Sequence, residues 1–433
     1  MGVLDIFKRK QPVPLNFEIK QHPSGQAMLV GFPGNVAWNS INKRSFIEYG
    51  YKSNPVVYQC VNMIADAVAN LPYLLKNGDR DAEDDDPFAA MLAMPNPDMS
   101  WQDFIQTIVI DMLTTGEAYL IRNFEAGAAE LWINPSLYMS PVEGAYGLPQ
   151  SYKLEKYPGQ IYFPVDQFTG DSDILQLKYK VDPINRWHGL PPTIAVHKII
   201  NTYNDLVKFQ KATLDNGGQP AGAWIYQGQD GERLTDEQYA RMSETIAQKY
   251  TGVKNAGKDI FLEGGLTYVR IGQSTEQLSF TESMAIYEDA IIKAFGIPLP
   301  LLKNEASTYN NVVNANLKFY EDVVIPLANK IYHRLPKWLA RFYPRANYRI
   351  LPDYDRITAL EVRSETKYKR ALEGIKGGLI TVNEARYMTD FEELEAGEGG
   401  DQVLVPQSMI PASMAGQHFG LEDTPQDGQD QPG

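Results

Sequence analysis

The chain has 433 residues, of which 43% are hydrophobic and 22% are charged, a globular composition that excludes disorder along the whole length. Its 40 Lys and Arg against 54 Asp and Glu give a formal net charge of -14, the wrong sign for tight, non-specific phosphate binding. No apolar run reaches the roughly 18 residues of a membrane span. Cys60 is the one cysteine, and the opening residues lack an apolar stretch before their basic cluster, so we expect an intracellular protein.

The N-terminal part of the chain is predicted to be an arm followed by a helix. Residues 1–53 carry four prolines among short apolar pieces, which predicts an arm with at most short strands. Asn54 and Pro55 then provide an N-cap and a first helical residue. Apolar residues follow at three- and four-residue spacing until Pro72, so the helix needs a packing partner.

Residues 54–190 are predicted to form one α+β domain. A short helix ends before Pro95, and another begins at Ser100 with the pattern of a capping box and ends at Gly116. Short alternating apolar runs between Gly, Pro and Asn clusters over residues 117–180 indicate strands and turns.

Two helices that could pair are predicted on either side of an insertion. The first runs over residues 191–217 and ends at a Gly-Gly pair. The insertion, residues 218–278, has the pattern β-α-β-β, with a capping box at Thr235. The second helix covers residues 279–296.

The C-terminal part is predicted to contain a loop, a long bent helix and a small helical module. Residues 297–311 indicate a loop, and a helix over 312–335 should bend at Pro326, which lacks a backbone donor. A return segment, 336–355, contains a strand over 348–351. A highly charged helix over 356–373 and a second one capped by Thr381 and Glu384 lie within residues 356–405, and the polar tail 406–433 is expected to be disordered.

The sequence offers little from which to build a catalytic or metal site. Residues 252–259 match a phosphate-binding loop except that Asp259 replaces the hydroxyl, and they follow a helix instead of a strand, so a simple turn is favoured. The five histidines are scattered without metal-site spacing and are expected at surfaces or interfaces. Cys60 lies on an apolar helix face and should be inert, and the acidic run 84–86 favours a solvated loop. We therefore expect no enzyme activity, no cofactor and no metal.

Eight motifs in order resemble the portal proteins of tailed double-stranded-DNA bacteriophages of the lambda-like long-tailed type, over about residues 54–405. They are VVYQCVNMIADAVANLP (56–72), PFAAMLAMPNP (87–97), LTTGEAY (113–119, for L-x-x-G-N-A-Y), GLPP (189–192), NGGQPAG (216–222), YTGVKNAGK (250–258), AFGIP (294–298) and GLITVNEAR (378–386). The chain departs from the pattern at Asp86 and over the acidic stretch 390–398.

The resemblance implies an α+β portal fold that forms a ring and is mainly helical around a central channel. In that architecture the chain divides into an N-terminal arm (1–53), wing (54–190), first stem helix (191–217), clip (218–278), second stem helix (279–296), tunnel loop (297–311), kinked spine helix (312–335), wing return strand (336–355), crown (356–405) and tail (406–433).

The resemblance also implies two functional surfaces. The expected DNA-channel residues lie in the tunnel loop and stem: Lys293, Leu301, Leu302, Lys303, Asn304, Glu305, Ser307, Thr308, Tyr309, Asn310 and Asn311. Lys303 could instead pair with Glu305 of another subunit. The expected partner-binding residues of the clip are Gln227, Gln229, Asp230, Glu232, Lys254, Asn255 and Lys258.

The implied function is a twelve-subunit DNA channel at one capsid vertex, through which a terminase motor packages double-stranded DNA and from which the DNA is later ejected. Expected partners are the terminase large subunit, a head-tail adaptor protein, the major capsid protein and a scaffold protein, with no membrane. The protein is expected in the virion and, during assembly, in the host cytoplasm. Two alternatives remain open: a packaging-motor NTPase, which would need a working phosphate loop, and a capsid-associated adaptor that forms no ring.

Overall fold

The computed structural model describes one compact unit within residues 41–403. Its gaps are residues 84, 126–127, 145–146, 157, 216–221, 227–234, 250–265, 271–279, 304–308, 390 and 396–397. Predictions about residues 1–40, the phosphate-loop-like segment 252–259 and the tail 406–433 therefore lie outside the described residues.

The end of the predicted arm is helical, so the prediction of at most short strands is wrong for residues 43–51. Helix α1, Lys43–Ser45, is capped by Asn42, whose Oδ1 accepts from the Ser45 amide at 2.8 Å. A π-helical turn, Phe46–Tyr51, continues it. The prolines behind the prediction all precede this segment, and burial of Phe46, edge-on to the ring of His197 at 5.7 Å between centroids, fixes it.

Three helices with local capping signals build the first part of the core. They are α2 (Pro55–Ala69), α3 (Pro87–Ala93) and α4 (Trp101–Thr115). The Asn54 side chain accepts from two amides at the start of α2, and Ser100 and Asp103 complete the capping box of α4, as predicted. Helices α2 and α4 pack together through fully buried side chains such as Ile64 and Ile108, which lie on their facing apolar stripes.

Antiparallel strands form over residues 117–180, where the alternating runs predicted them, and also over 73–81 and 189–190, where the sequence predicted none. They are β1 (Tyr73–Asn77), β2 (Arg80–Asp81), β3 (Glu117–Glu125), β4 (Ala128–Asn134), β5 (Met139–Val142), β6 (Ser151–Lys156), β7 (Gly159–Pro164), β8 (Ile174–Lys178), β9 (Lys180–Val181), β10 (Gly189–Leu190), β11 (Gly222–Tyr226), β12 (Leu266–Arg270) and β13 (Tyr348–Pro352). The described sheets have the orders β13-β1-β2, β4-β3-β8, β5-β6-β7, β9-β10 and β11-β12. Strand β13 thus returns from far along the chain to pair with β1, and Tyr73 faces Pro352 in the register.

Two glycines allow the end of α4 to touch the strand before the next helix. Gly116 ends α4 with φ 91°, a left-handed conformation that glycine adopts without steric cost. A Cβ atom on Gly189 would lie 2.1 Å from the carbonyl oxygen of Gly116. Both positions therefore require glycine.

Helices α5 (His197–Asp215) and α7 (Phe280–Ala294) form the predicted pair. The Tyr203 hydroxyl donates to Glu288 at 3.4 Å, and the Gln210 amide contacts the Met284 sulfur at 3.4 Å. Helix α5 begins six residues later than the predicted residue 191, because Pro191 is extended before Pro192 and a 3-10 turn, Pro192–Ile194, intervenes. His197 is buried at the start of α5 and not on a surface.

The insertion between these helices contains helix α6, Asp236–Lys249. Thr235 and Gln238 exchange the two capping hydrogen bonds at 3.0 and 3.3 Å, as predicted. Strands β11 and β12 pair on either side of it in sequence. The predicted strand 260–262 lies outside the described residues.

The predicted bent helix is longer than expected and changes its winding. It consists of α8 (Tyr309–Phe319), a π-helical turn (Tyr320–Val324) and α9 (Ile325–Leu339). The π turn directly precedes Pro326, where the backbone donor is missing, so the irregularity falls at the expected place. The helix begins three residues before 312 and continues past 335 through Pro336, because Trp338 and Leu339 are buried in the core.

The C-terminal module consists of α10 (Glu361–Lys376) and α11 (Val382–Met388). Helix α10 begins at 361 and ends at 376, not 356 and 373, because two 3-10 turns, Tyr354–Arg356 and Thr358–Leu360, occupy the preceding residues. Both capping-box hydrogen bonds between Thr381 and Glu384 are present, as predicted.

Candidate functional site

The chain leaves α7 through a short, packed connection and not through a free loop. Gly296 has φ 78°, and Pro298 opens a 3-10 turn, Leu299–Leu301. Leu301 and Leu302 are half-buried and pack against the main hydrophobic core. The first part of the predicted tunnel loop is therefore held by apolar burial.

Lys303 fastens the end of this connection to helix α7. Its Nζ lies 2.5 Å from Asp289 Oδ1 and 3.5 Å from Glu288 Oε2. It also donates to the backbone oxygen of Ala285 at 3.3 Å. The hydrogen bond that Lys303 donates to Asp289 raises the pKa of Lys303 above its usual value despite partial burial. Within one chain, Lys303 is thus paired with helix α7 and is not an isolated charge.

The other predicted channel residues divide into exposed helical ones and ones outside the described residues. Lys293 is exposed on the last turn of α7. Tyr309, Asn310 and Asn311 are exposed, but they form the first turn of α8, so the predicted loop ends at least three residues earlier than 311. Asn304, Glu305, Ser307 and Thr308 are not described.

The predicted clip residues cannot be placed. Gln227, Gln229, Asp230, Glu232, Lys254, Asn255 and Lys258 all lie outside the described residues. Helix α6 between them is exposed from 236 to 245, with only Met242 half-buried. A helix so little covered in a single chain is available for contacts with other molecules.

Exposed apolar side chains mark the outer surfaces of the paired helices α5 and α7. Ile286 on α7 is 65% exposed, and Leu214 on α5 is 63% exposed. Val207 on α5 is also exposed, whereas Ile291 and Ile292 on α7 are buried. Isolated exposed apolar residues are common, but several on two adjacent helices favour an association surface.

A buried carboxylate that the sequence did not indicate lies at the start of strand β3. Glu117 is fully buried, with Lys43 Nζ at 2.5 Å and His188 Nδ1 at 3.2 Å. Gln176 and the Gly189 amide also donate to it, at 2.7 and 3.2 Å. Burial alone would raise its pKa, but the hydrogen bond from His188 and the charge of Lys43 outweigh burial and lower the pKa to about 2.

This network connects helix α1 to the sheet, because Lys43 also donates to the backbone oxygens of Ser136 and Met139 at 2.9 and 3.0 Å. The one signal for it in the sequence is Glu117, a carboxylate at the position where the resembled motif has asparagine.

A second missed network joins the sheet to the end of the long helix. The Arg122 side chain is fully buried and lies 2.8 Å from Asp171 and 3.3 Å from Asp173. Its Nη1 donates to the backbone oxygen of Trp338 at 2.5 Å, and its guanidinium lies over the rings of Trp338 and Phe342. No spacing in the sequence relates these residues, which are far apart along the chain.

No candidate metal-binding cluster occurs among the described residues. They contain no cluster of three or more His, Cys, Asp or Glu side chains that could hold a metal ion. Cys60 is buried on α2, as the sequence predicted, and burial raises the pKa of its thiol to about 12. Within the same residues no helix is both long enough and apolar enough to span a membrane.

Comparison with known sequences identifies a family over most of the chain. The family model described as "Phage portal protein" matches residues 55–390. The portal protein of Escherichia phage T5 is 24% identical over 387 residues, covering 86% of this chain and 87% of that protein. An uncharacterised protein of Rickettsia bellii is 29% identical over 352 residues, covering 80% of this chain and 89% of that protein.

Solved structures with the same fold come from gene transfer agent (GTA) particles and a phage portal protein. A chain of the "Neck of empty GTA particle computed with C6 symmetry" has a TM-score of 0.64 and 29% identity, covering 83% of this chain and 96% of that one. A chain of the "Neck of native GTA particle computed with C12 symmetry" has a TM-score of 0.61 and 28% identity, covering 82% and 95%.

An HK97 family phage portal protein from Corynebacterium diphtheriae has a TM-score of 0.51 at 14% identity, covering 73% of this chain and 96% of that one, which shows the fold alone. The fold prediction is thus confirmed, and the family is structural and not enzymatic. The chain belongs to the phage portal protein family.

Proposed function

We propose that this protein assembles into a ring that forms the DNA channel at one vertex of a phage capsid. The observation that carries the proposal is the exposed apolar surface of α5 and α7, where Leu214 and Ile286 lie in water in a single chain. In a ring, each copy would cover part of this surface on its neighbour. The related chains from particle necks solved with C6 and C12 symmetry support such an arrangement.

Simple geometry agrees with twelve subunits around a DNA duplex. Twelve helices at a spacing of about 10 Å give a circumference of about 120 Å and a diameter of roughly 38 Å between helix axes. Subtracting one helix width of about 10 Å leaves an opening of roughly 28 Å. B-form DNA is roughly 20 Å wide, so the channel would pass the duplex with little clearance.

The charge of the chain suits passage of DNA more than binding. Affinity for DNA rises steeply with each neutralised phosphate, so twelve copies of a basic lumen would hold the duplex. A formal net charge of -14 per chain opposes such retention. Lys293 and the first turn of α8, Tyr309 to Asn311, supply exposed polar groups for sparse contacts with DNA, whereas Lys303 is neutralised by α7.

The same proposal assigns the parts of the chain to the portal architecture. Residues 54–190 and the return strand β13 would form the wing, α5 and α7 the stem, residues 218–278 the clip, α8 to α9 the spine, and α10 and α11 the crown. DNA would enter during packaging by terminase and leave during ejection.

The proposed partners follow from the exposed parts of that architecture. The exposed helix α6 suits the clip's contacts with the terminase large subunit and a head-tail adaptor protein. The wing would contact the major capsid protein and a scaffold protein. The protein would be built in the host cytoplasm and remain in the virion.

Electron microscopy of the purified protein at high concentration, with particles classified by rotational symmetry, tests ring formation. We expect rings with a central hole and about twelve-fold symmetry, and their loss in an Ile286→Asp variant that remains folded. DNA content of particles assembled with that variant tests the channel function. Rings that form normally in the variant would contradict the stem assignment, and DNA-filled particles without rings would favour the capsid-associated adaptor.

A further inference from the structure

A cavity of about 610 Å³ lies between strand β8, residues 147–152 and the first turns of α9. Its volume is within the range of small-ligand sites. One side is apolar and aromatic, and the other carries basic groups from β8 and α9. The apolar lining includes Leu148, Pro149, Tyr152, Leu177, Trp187 and Pro326.

The basic side of this cavity holds three cations that donate to backbone oxygens, and Lys330 also lies over the ring of Tyr179. Lys178 donates to the carbonyl of Arg186 at 2.7 Å, Arg334 donates to that of Gln176 at 3.0 Å, and Lys330 donates to that of Tyr179. None of the three has a carboxylate within ion-pair distance among the described residues, and no acidic residue lines the cavity. This concentration of positive charge stands out in a chain with a formal net charge of -14.

The electrostatic environment of these cations favours an anion. Burial lowers the pKa of Lys178, and Arg334 lowers it further, although Glu117 acts in the opposite direction. Burial and the nearby Lys180 likewise lower the pKa of Lys330. Glu117, the nearby carboxylate, already pairs with Lys43. An added anion would therefore stabilise charges that the chain itself leaves under-compensated.

The shape of the cavity indicates what kind of anion fits. Phosphates of a DNA duplex lie on a regular polar backbone, which offers nothing to fill an apolar cavity. A peptide with an apolar side chain next to carboxylates matches both the apolar side and the basic side. Residues 404–433 of this chain carry Glu422, Asp423, Asp427 and Asp430 and no Lys or Arg, and Phe419 and Leu421 lie within three residues before Glu422.

The chain is long enough to bring this segment to the cavity. The 16 residues from Val403 to Phe419 span at most about 54 Å. Helix α10 is about 24 Å long, and it begins next to residues 358 and 359, which share a small cavity with Tyr320 of the spine. Arg334 lies about 21 Å farther along the spine. The Asn383 amide at the start of α11 donates to Gly400, and its side chain donates to Asp401, so Val403 lies near the start of α11, which follows α10 closely. Taken end to end, the two lengths give about 45 Å from the end of α10 to Arg334, a distance that the segment can span.

We propose that residues 419–430 dock in this cavity of their own chain. Phe419 would enter the apolar side, and Glu422 and Asp423 would face the lysines and Arg334. The C-terminal segment would then brace the wing against the spine. This inference does not depend on ring formation.

Photocrosslinking of the full-length protein tests the proposal. A Gln417→Cys substitution introduces a thiol for a benzophenone maleimide, and Cys60 does not compete because it is buried. After illumination, we expect peptide mapping to find crosslinks within 147–152, 177–187 and 326–334. The crosslinked product should migrate as a single chain in a denaturing gel.

Two charge variants separate the proposed contact from chance proximity. Glu422→Gln together with Asp423→Asn should reduce these crosslinks at least about fivefold, because charge-assisted contacts are lost. Glu398→Gln, a loss of charge at another exposed position, should leave them unchanged. Crosslinks at other sites, or crosslinks insensitive to the double substitution, would overturn the proposal. A crosslinked dimer would assign the segment to a second copy, and displacement by a short DNA duplex would assign the cavity to nucleic acid; either result also overturns it.

Discussion

The main hydrophobic core and the outer faces of helices α5 and α7 differ in how they place apolar side chains. On helix α7, Ile291 is fully buried against the core, whereas Ile286, five residues earlier, is 65% exposed. The core around α2, α4 and α9 is complete within one chain. The helix pair α5 and α7, the proposed stem, buries apolar side chains only on the side that faces this core, so another copy would contribute most on the exposed side.

Charged residues follow the same division. Glu117 and Arg122 are buried in the described part of the chain. Each has oppositely charged partners and hydrogen bonds that compensate the cost of removing its charge from water. Helix α5 instead carries charges on its surface, in local pairs such as Lys208 with Asp205 at 2.9 Å. A buried ion pair depends on the fold that surrounds it, because removing one partner leaves an uncompensated charge. A surface ion pair contributes little to stability, so it can be rearranged when subunits meet.

The largest effect is expected from breaking the Glu117 network. Glu117→Gln keeps the shape but leaves Lys43 without its buried counter-charge, so the free energy of unfolding at pH 7 should fall by about 3 kcal/mol. Urea denaturation followed by circular dichroism measures this difference. Glu155→Gln, at an exposed position of β6, is the control and should change stability by less than about 0.5 kcal/mol.

The same variant makes a prediction about pH. Because the pKa of Glu117 is lowered to about 2 in the folded protein, its stabilising contribution is present above the ordinary glutamate pKa of about 4.5. It is lost as pH falls from about 4.5 towards 2, so the stability difference between the native protein and Glu117→Gln should shrink in that window. A difference that stays constant there would contradict the lowered pKa.

The two isoleucines of α7 provide a matched test of the division between core and stem. Ile291→Ala should lower the free energy of unfolding by about 2–4 kcal/mol, because it opens a cavity in the core. Ile286→Ala should change the stability of the single chain by less than about 0.5 kcal/mol but should reduce the fraction of rings seen by electron microscopy. Equal stability losses in the two variants would show that the division is wrong.

The contrast between local and distant signals explains what the sequence predicts. The caps of α2, α4 and α11 were predictable because donor and acceptor lie within a few residues of each other. The contact between Arg122 and the Trp338 carbonyl spans 216 positions and has no local pattern. The helical turn after Asn42 also escaped prediction, because its stability comes from Lys43 and Phe46 packing on distant elements.

For the candidate channel residues, too, the sequence predicts only what local patterns determine. The connection after α7 and the helix after it were predicted from their prolines and apolar spacing, but the boundary at Tyr309 was not. The pairing of Lys303 with Asp289 depends on the return of the chain to α7, which spacing alone does not reveal.

A smaller effect on stability is expected at the end of the stem. Lys303→Met removes the ion pair with Asp289, which is close to the surface, so unfolding should become easier by only about 0.5–1 kcal/mol. Lys293→Met, on the exposed side of α7, is the control and should have no measurable effect on stability. A loss as large as that of Ile291→Ala would indicate that the connection is part of the core after all.

The last prediction compares the thiol reactivity of a buried and an exposed position, with little expected effect on stability. Cys60 is fully buried and its thiol pKa is raised to about 12, so the native protein should not react with a thiol reagent at pH 8. Any labelling of Cys60 then requires unfolding of the core, so its rate measures how often the core unfolds. An Ile286→Cys variant should react at once as a single chain, since that position is exposed, and should become protected when rings form. Contact with a neighbouring subunit must exclude the reagent. If Ile286→Cys reacts equally fast in rings and in single chains, Ile286 does not lie in the subunit interface.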